Sequence, residues 1–240
     1  MKCRRMFEEF VLAASTADLA AEPAAREAAD AVEFRMDLAS DPLAQLSAYD
    51  GALPLIATNR AAWEGGAADG PDRYDALATA ARHDAVTAVD IELAALRGDR
   101  PDPSEESRAT ALRDAAREAG TAVIASVHDF EATPDREVLD DRLAAAATAG
   151  DVGKLATTAT GPGDALALLC ATHAATAAGH RVATMCMGAP GRHTRAVAPV
   201  YGSKIGYAPV DAADATAPGQ YPLATLRRLV DDLRVDSASE

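Results

Sequence analysis

Lysine is scarce in this chain: it occurs only at positions 2, 154 and 204, against 20 arginines. Aromatic residues make up 4% of the sequence, so a packed interior has to be built from the Ala, Val and Leu that dominate its 49% hydrophobic content. Cysteine is limited to Cys3, Cys170 and Cys186, an odd set without Cys-x-x-Cys spacing. A disulfide framework and a thiolate zinc cage are both disfavoured, and a reducing cytoplasm fits. The sequence has no charge-free apolar run of about 18 residues and no apolar core before a cleavage site, which argues against a membrane span and a secretory signal. Positive charge is also in short supply, the formal net charge being −14. Nucleic acid and anionic membrane surfaces are therefore poor partners. Acidic excess with little lysine suits a cytoplasm at molar salt, where the Debye length is roughly 3 Å. A GC-rich coding bias is the other reading; it explains the arginine well and the acidity less well.

What is present is a regular alternation. Short apolar or β-branched runs at Phe10–Ala14, Ala31–Asp37, Pro54–Asn59, Val86–Leu93, Thr121–His128, Asp151–Thr157, Arg181–Met187 and Lys204–Pro209 read as strands. Ala-rich amphipathic stretches at Ala17–Ala29, Asp72–Arg82, Ser104–Ala119, Asp135–Ala149, Gly163–Ala178 and Leu223–Leu233 read as helices, with Ser104 and Thr133-Pro134-Asp135 as start signals. Eight strands alternating with helices over 240 residues match a (β/α)8 TIM barrel, an α/β fold, spanning residues 1–240 as one domain. A doubly wound open sheet is the alternative, but no Gly-x-Gly-x-x-Gly follows the first strand. The stretch Thr160-Gly-Pro-Gly163 reads as a loop rather than a phosphate cradle.

Chemistry-bearing residues fall inside or just after these strands. Lys154 lies within the apolar run Asp151-Val-Gly-Lys-Leu-Ala-Thr157. Arginine stays protonated in proteins and cannot be a nucleophile, whereas a desolvated lysine can lose its proton. A lysine at a frayed strand end, with its ammonium in water, fits this segment alone equally well. Glu33, Arg35 and Asp37 share one face of the second strand by period-two spacing. They either face the barrel mouth or form a structural charge ladder. Arg60 precedes Glu64-Gly-Gly66, a substrate-facing or an ordinary loop. Asp90 and Glu92 read as counter-ions inside the barrel. His128 ends the fifth strand, where an imidazole suits proton transfer near neutrality. Met185 and Met187 fit a core, and Arg195 fits either a site or a solvated helix.

Taken in order, the segments Glu-Phe-Arg-Met-Asp, Thr-Asn-Arg-x-x-x-Glu-Gly-Gly, Asp-Ile-Glu-Leu, Ser-Val-His-Asp-Phe-x-x-Thr-Pro, Gly-Lys-Leu-Ala, Met-Cys-Met-Gly, Thr-Arg, Tyr-Gly-Ser and Ala-Pro-Gly-Gln resemble the type I 3-dehydroquinate dehydratase family of the shikimate pathway, from about residue 10 to 233. The resemblance implies 3-dehydroquinate as substrate, elimination of water to 3-dehydroshikimate, and neither metal nor diffusible cofactor. It makes Lys154 the Schiff-base amine, His128 the proton carrier and Glu64 the group that holds the histidine. Glu33, Arg35, Arg60, Arg195, Thr216 and Gln220 match substrate-binding positions, and Met187 a packing position. Thr216 stands where many members have serine, and Cys186 replaces a common serine between the methionines. Members are often dimers, so a second copy is the one macromolecular partner it suggests. A class I aldolase-like Schiff-base lyase is the nearest rival enzyme. A binding protein on a decayed barrel would lack at least one of Lys154, His128 and Glu64.

Overall fold

A computed structural model describes residues 6–100, 102–211 and 219–233. The strands are β1 (Val11–Thr16), β2 (Ala31–Arg35), β3 (Leu55–Thr58), β4 (Val86–Glu92), β5 (Ala122–Asp129), β6 (Val152–Thr158), β7 (Val182–Met187) and β8 (Ile205–Pro209). Each pairs in parallel with its sequence neighbour, and β1 also pairs with β8, giving the order β7-β6-β5-β4-β3-β2-β1-β8. The remaining seam is closed by few bonds. Lys204 donates its backbone N–H to the Val182 carbonyl at 2.7 Å, and the Ser203 hydroxyl accepts the Thr184 N–H at 3.0 Å. The result is a nearly closed (β/α)8 barrel, as the alternation of patterns predicts.

Period-two alternation sorts the strand residues into two cores. Inside the barrel lie Val11, Ala13, Ala31, Ile56, Ala88, Ile124, Val152, Ala156, Ala183, Met185, Met187, Ile205 and Tyr207, with Phe7 among them. Alanine at so many inward positions leaves room for long polar side chains from other strands. Outward residues such as Val32, Phe34, Leu55, Val89 and Ile91 pack under the helices.

The helices are α1 (Pro42–Ser47), α2 (Asp72–Ala81), α3 (Leu93–Leu96), α4 (Pro103–Glu118), α5 (Arg136–Ala149), α6 (Pro162–Ala177), α7 (Thr194–Val197) and α8 (Leu223–Leu233). The helix expected over 17–29 is instead a 3-10 turn at Leu19–Ala24. Pro23 lies inside it and supplies no N–H. The Glu22 carboxylate reaches away to the Ala52 and Leu53 amides at 3.1 and 3.0 Å. Two start signals also move. The cap of α4 is Asp102, whose carboxylate accepts the Ser104 N–H at 2.9 Å, and Pro134 precedes the Asp135 cap of α5 rather than entering its first turn.

Gly153 decides how close α5 comes to β6. A Cβ at this position would lie 2.6 Å from the Ala147 backbone nitrogen and 3.0 Å from the Ala146 carbonyl carbon. These are backbone atoms of a packed helix and cannot rotate aside. Gly153→Ala is therefore expected to destabilise the protein by about 1–3 kcal/mol, the usual cost of overpacking, measured as a lowered urea midpoint at fixed salt.

Candidate active site

Lys154 is the third residue of β6 and is 5% exposed. An ammonium buried this far needs compensation. Its Nζ donates to Asp90 Oδ2 at 3.0 Å, lies 3.7 Å from Glu33 Oε1, and sits 4.3 Å from the centre of the Tyr207 ring. Asp90 comes from β4 and is buried. Its other oxygen accepts from Arg60 Nη2 at 2.8 Å and from the Ser126 hydroxyl at 2.6 Å. Burial alone would raise the Asp90 carboxyl, but the charges of Arg60 and Lys154 outweigh it and hold the group well below the usual carboxylate range.

Glu33 projects inward from β2, fixed by the Ser15 hydroxyl at 2.5 Å and the Thr58 hydroxyl at 3.1 Å. Arg35 follows on the same face. Asp37 lies beyond the end of β2 and receives Arg35 through two bonds of 2.8 and 2.7 Å. Arg60 leaves β3 and is held by Asp90, by Glu92 at 3.3 Å and by Glu64 at 3.6 Å. Arg35 and Arg60 are thus each matched by carboxylates. The counter-ion reading of Asp90 and Glu92 holds.

Glu64 sits in a 3-10 turn, Ala62–Glu64, that Gly65 ends in the left-handed region at φ 78°. Its Oε1 lies 2.8 Å from His128 Nδ1 on β5. Burial pushes the Glu64 carboxyl up to about 8 against the opposing pull of Arg60. Burial, then Arg60 and Lys154, lowers His128 well below the ordinary imidazole value. Phe130 stacks on the imidazole with ring centres 5.9 Å apart and planes 12° apart.

Arg195 is the exception among the buried cations. It lies in the one-turn α7, 4% exposed, with no carboxylate partner among the described residues and no hydrogen-bond partner at Nε. Burial lowers its guanidinium to about 10. The preceding Thr194 fixes this turn against β7, accepting the Cys186 N–H at 2.8 Å and donating to the Gly191 carbonyl at 2.8 Å. The Tyr207 hydroxyl is also buried, without a hydrogen-bond partner among the described residues. Burial, with Glu33 and Asp90 nearby, raises it well above the usual phenol value, so it stays protonated.

These groups converge on one cleft of about 570 Å³, counting the open solvent at its mouth. Glu33, Arg35, Arg60, Glu64, His128, Lys154, Met187, Arg195 and Gln220 all line it. Thr216 lies outside the described residues. Sequence reasoning missed Tyr207 and Phe130 as lining residues, and Ser126 as part of the Asp90 contact. Phe130 was legible in principle, two positions after His128. Among the described residues no cluster of three or more His, Cys, Asp or Glu side chains is arranged to hold a metal ion, and no helix is long and apolar enough to cross a membrane. An amine, an imidazole–carboxylate couple and an unmatched guanidinium in one cleft suit chemistry beside a carbonyl on an anionic molecule.

Asp90→Asn leaves Lys154 and Arg60 buried without their shared counter-ion. The loss should be about 3–5 kcal/mol, as for breaking a buried pair, measured by urea unfolding at matched salt. Because the folded Asp90 value is depressed, its contribution is present above the usual carboxylate range and fades as pH falls towards the folded value. The gap between the two proteins should therefore narrow only in strong acid.

The sequence pattern of the type I 3-dehydroquinase family matches residues 11–237. A 3-dehydroquinate dehydratase of Haloarcula marismortui is 62% identical over 232 residues, covering 96% of this chain and 99% of that protein. One from Halobacterium salinarum is 58% identical over 229 residues, covering 95% and 99%. Among solved structures, the 3-dehydroquinate dehydratase from Geobacillus kaustophilus superposes with a TM-score of 0.81 at 26% identity, covering 95% of this chain and 93% of that one. With barrel, cleft and sequence in agreement, the chain belongs to the type I 3-dehydroquinase family.

Proposed function

We propose that the chain, acting as one barrel domain, converts 3-dehydroquinate to 3-dehydroshikimate and water through a Schiff base on Lys154. The observation that carries this reading is the convergence of the buried Lys154 amine with the Glu64–His128 couple in one cleft. The neutral amine adds to the ring ketone and water leaves, giving a protonated imine. That cation withdraws electrons from the neighbouring carbon far better than the ketone does. His128 Nε2 takes the proton from this carbon, the resulting enamine expels the β-hydroxyl, and His128 returns the proton to it. Hydrolysis of the imine frees product and amine. Arg195, lacking a carboxylate of its own, binds the substrate carboxylate. Glu33, Arg35, Arg60, Thr216 and Gln220 take the ring hydroxyls, and Met187 packs against the ring. The protein's own groups account for every step, so neither metal nor diffusible cofactor is assigned a role.

The couple explains how one imidazole serves as both base and acid. With Glu64 ionised, Nδ1–H donates to its oxygen and Nε2 carries a free lone pair. One further proton, whether it rests on the carboxyl or the ring, leaves Nε2 protonated in either tautomer. The two residues therefore titrate as a unit. Burial places that step near the Glu64 value of about 8. The cytoplasm at molar salt is the proposed setting, supported by the acidic excess and the high identity to the Haloarcula and Halobacterium proteins.

Borohydride added with 3-dehydroquinate should attach the reduced ligand to the peptide carrying Lys154. Unchanged intact mass, or a label elsewhere, rejects the proposal and leaves the aldolase-like alternative to be tested with its own substrates. His128→Ala should lose about 10² to 10⁴-fold in turnover while still trapping substrate on Lys154. The low-pH limb of kcat/KM should fall below about pH 8 with unit slope, because the protonated couple cannot accept a proton. Glu64→Gln should move that limb to lower pH, where His128 alone gains the proton; a limb unmoved by this change removes Glu64 from the couple.

A further inference from the structure

Behind the cleft, on the side of α2, a second set of buried charges meets the chain segment that carries Glu64. Glu92, at the end of β4, is 1% exposed and does not line the cleft. Its Oε1 accepts the Ala61 N–H at 2.9 Å and lies 3.3 Å from Arg60 Nη1. Its Oε2 receives Arg73 Nη1 at 2.8 Å. Arg73, on α2, is buried as well. Its carbonyl accepts the Asn59 side-chain amide at 3.2 Å. Its guanidinium lies over the Tyr74 ring at 4.0 Å and the Trp63 ring at 5.8 Å, and Arg100 covers Trp63 at 4.0 Å. Asn59, Arg60, Ala61 and Trp63 are thus each held from this side. The next residue along the chain is Glu64, the partner of His128.

We infer that Glu92, braced by Arg73, is a positioning residue for the Glu64–His128 couple, acting through the segment 59–64. The inference rests on the proposed role of that couple. Its chemistry is simple: a backbone amide and two guanidinium groups converge on one carboxylate, so the loop cannot shift without leaving a buried charge unpaired. Glu92 also contributes a fixed negative charge near Glu64. The other charged groups facing Glu64 are Arg60 on its own segment, Asp90 from β4, Lys154 from β6 and His128 from β5. Removing the Glu92 charge should make Glu64 easier to ionise. Removing Arg73 should have the opposite effect, because Glu92 then loses its neutralising partner.

The test compares Glu92→Gln with Arg73→Met by steady-state kinetics across pH, with hydride trapping as a control. Glu92→Gln keeps an oxygen for the Ala61 N–H. We expect kcat to fall roughly 10-fold, within the hundred-fold that remote misplacement can cost, with KM within about twofold and trapping on Lys154 retained. The low-pH limb should move down in Glu92→Gln and up in Arg73→Met. A lowered melting temperature with wild-type kcat and an unmoved limb would mean Glu92 is only structural and overturn the inference. If Glu92→Gln does not fold, an unmoved limb in Arg73→Met overturns it equally. Loss of trapping in the unmodified protein would instead reject the Schiff-base reading.

Discussion

Everything in the cleft depends on Asp90 carrying two cations at once. One oxygen holds the Lys154 amine and the other holds Arg60 and Ser126. A barrel lined mainly by alanine and branched aliphatics gives little solvation, so neither cation could stay there alone. With the carboxylate in place, both are tethered without filling the space above them. The alanines at positions 13, 31, 88, 156 and 183 keep the barrel from closing over with bulk and leave a lysine reachable by a ligand.

Charge pairing also divides the cleft into occupied and waiting groups. Arg35 is claimed by Asp37, Arg60 by three carboxylates, and Lys154 by two. Arg195 is claimed by none among the described residues, though it is buried as deeply. Leaving a guanidinium desolvated and unmatched costs stability. The fold sustains that cost through Thr194, which pins the α7 turn to β7 so that Arg195 cannot swing out to water. An anion entering the cleft would meet this one unsatisfied cation first. The seam where β7 meets β8 is the least regular part of the sheet, and two buried polar groups that lack a hydrogen-bond partner among the described residues, Arg195 Nε and the Tyr207 hydroxyl, lie near it.

The eight strands were legible as short apolar or β-branched runs because helices and barrel interior bury both of their faces, and only their ends shift by one or two residues. Helix reading failed at 17–29 for a visible reason. The alanine spacing there is helical, but Pro23 interrupts it, and Glu22 serves distant amides that no local pattern reveals. The line of site residues was legible through resemblance, and their partnerships were not. Asp90 and Lys154 are 64 positions apart, and only the register of β4, β5 and β6 brings them together. Arg195 and Arg60 are the same residue type in similarly polar contexts; burial without a partner separates them, and burial is a property of the fold. Arg73 lies in an ordinary amphipathic helix and gives no sign in sequence that it reaches a buried carboxylate.

The net charge of −14 and the cleft belong to different electrostatic regimes. In the proposed molar salt, screening acts over roughly 3 Å and removes most repulsion between exposed carboxylates. Buried pairs are screened much less, and Lys154, Asp90 and Arg60 are all buried. The same high salt can therefore quiet the surface while leaving the Glu64–His128 couple and its neighbours at their working strengths. Scarcity of lysine at the surface and retention of one lysine in the barrel then express one constraint. Where charge meets solvent, acidic groups replace amines. Where a bond to carbon has to form, only an amine will serve.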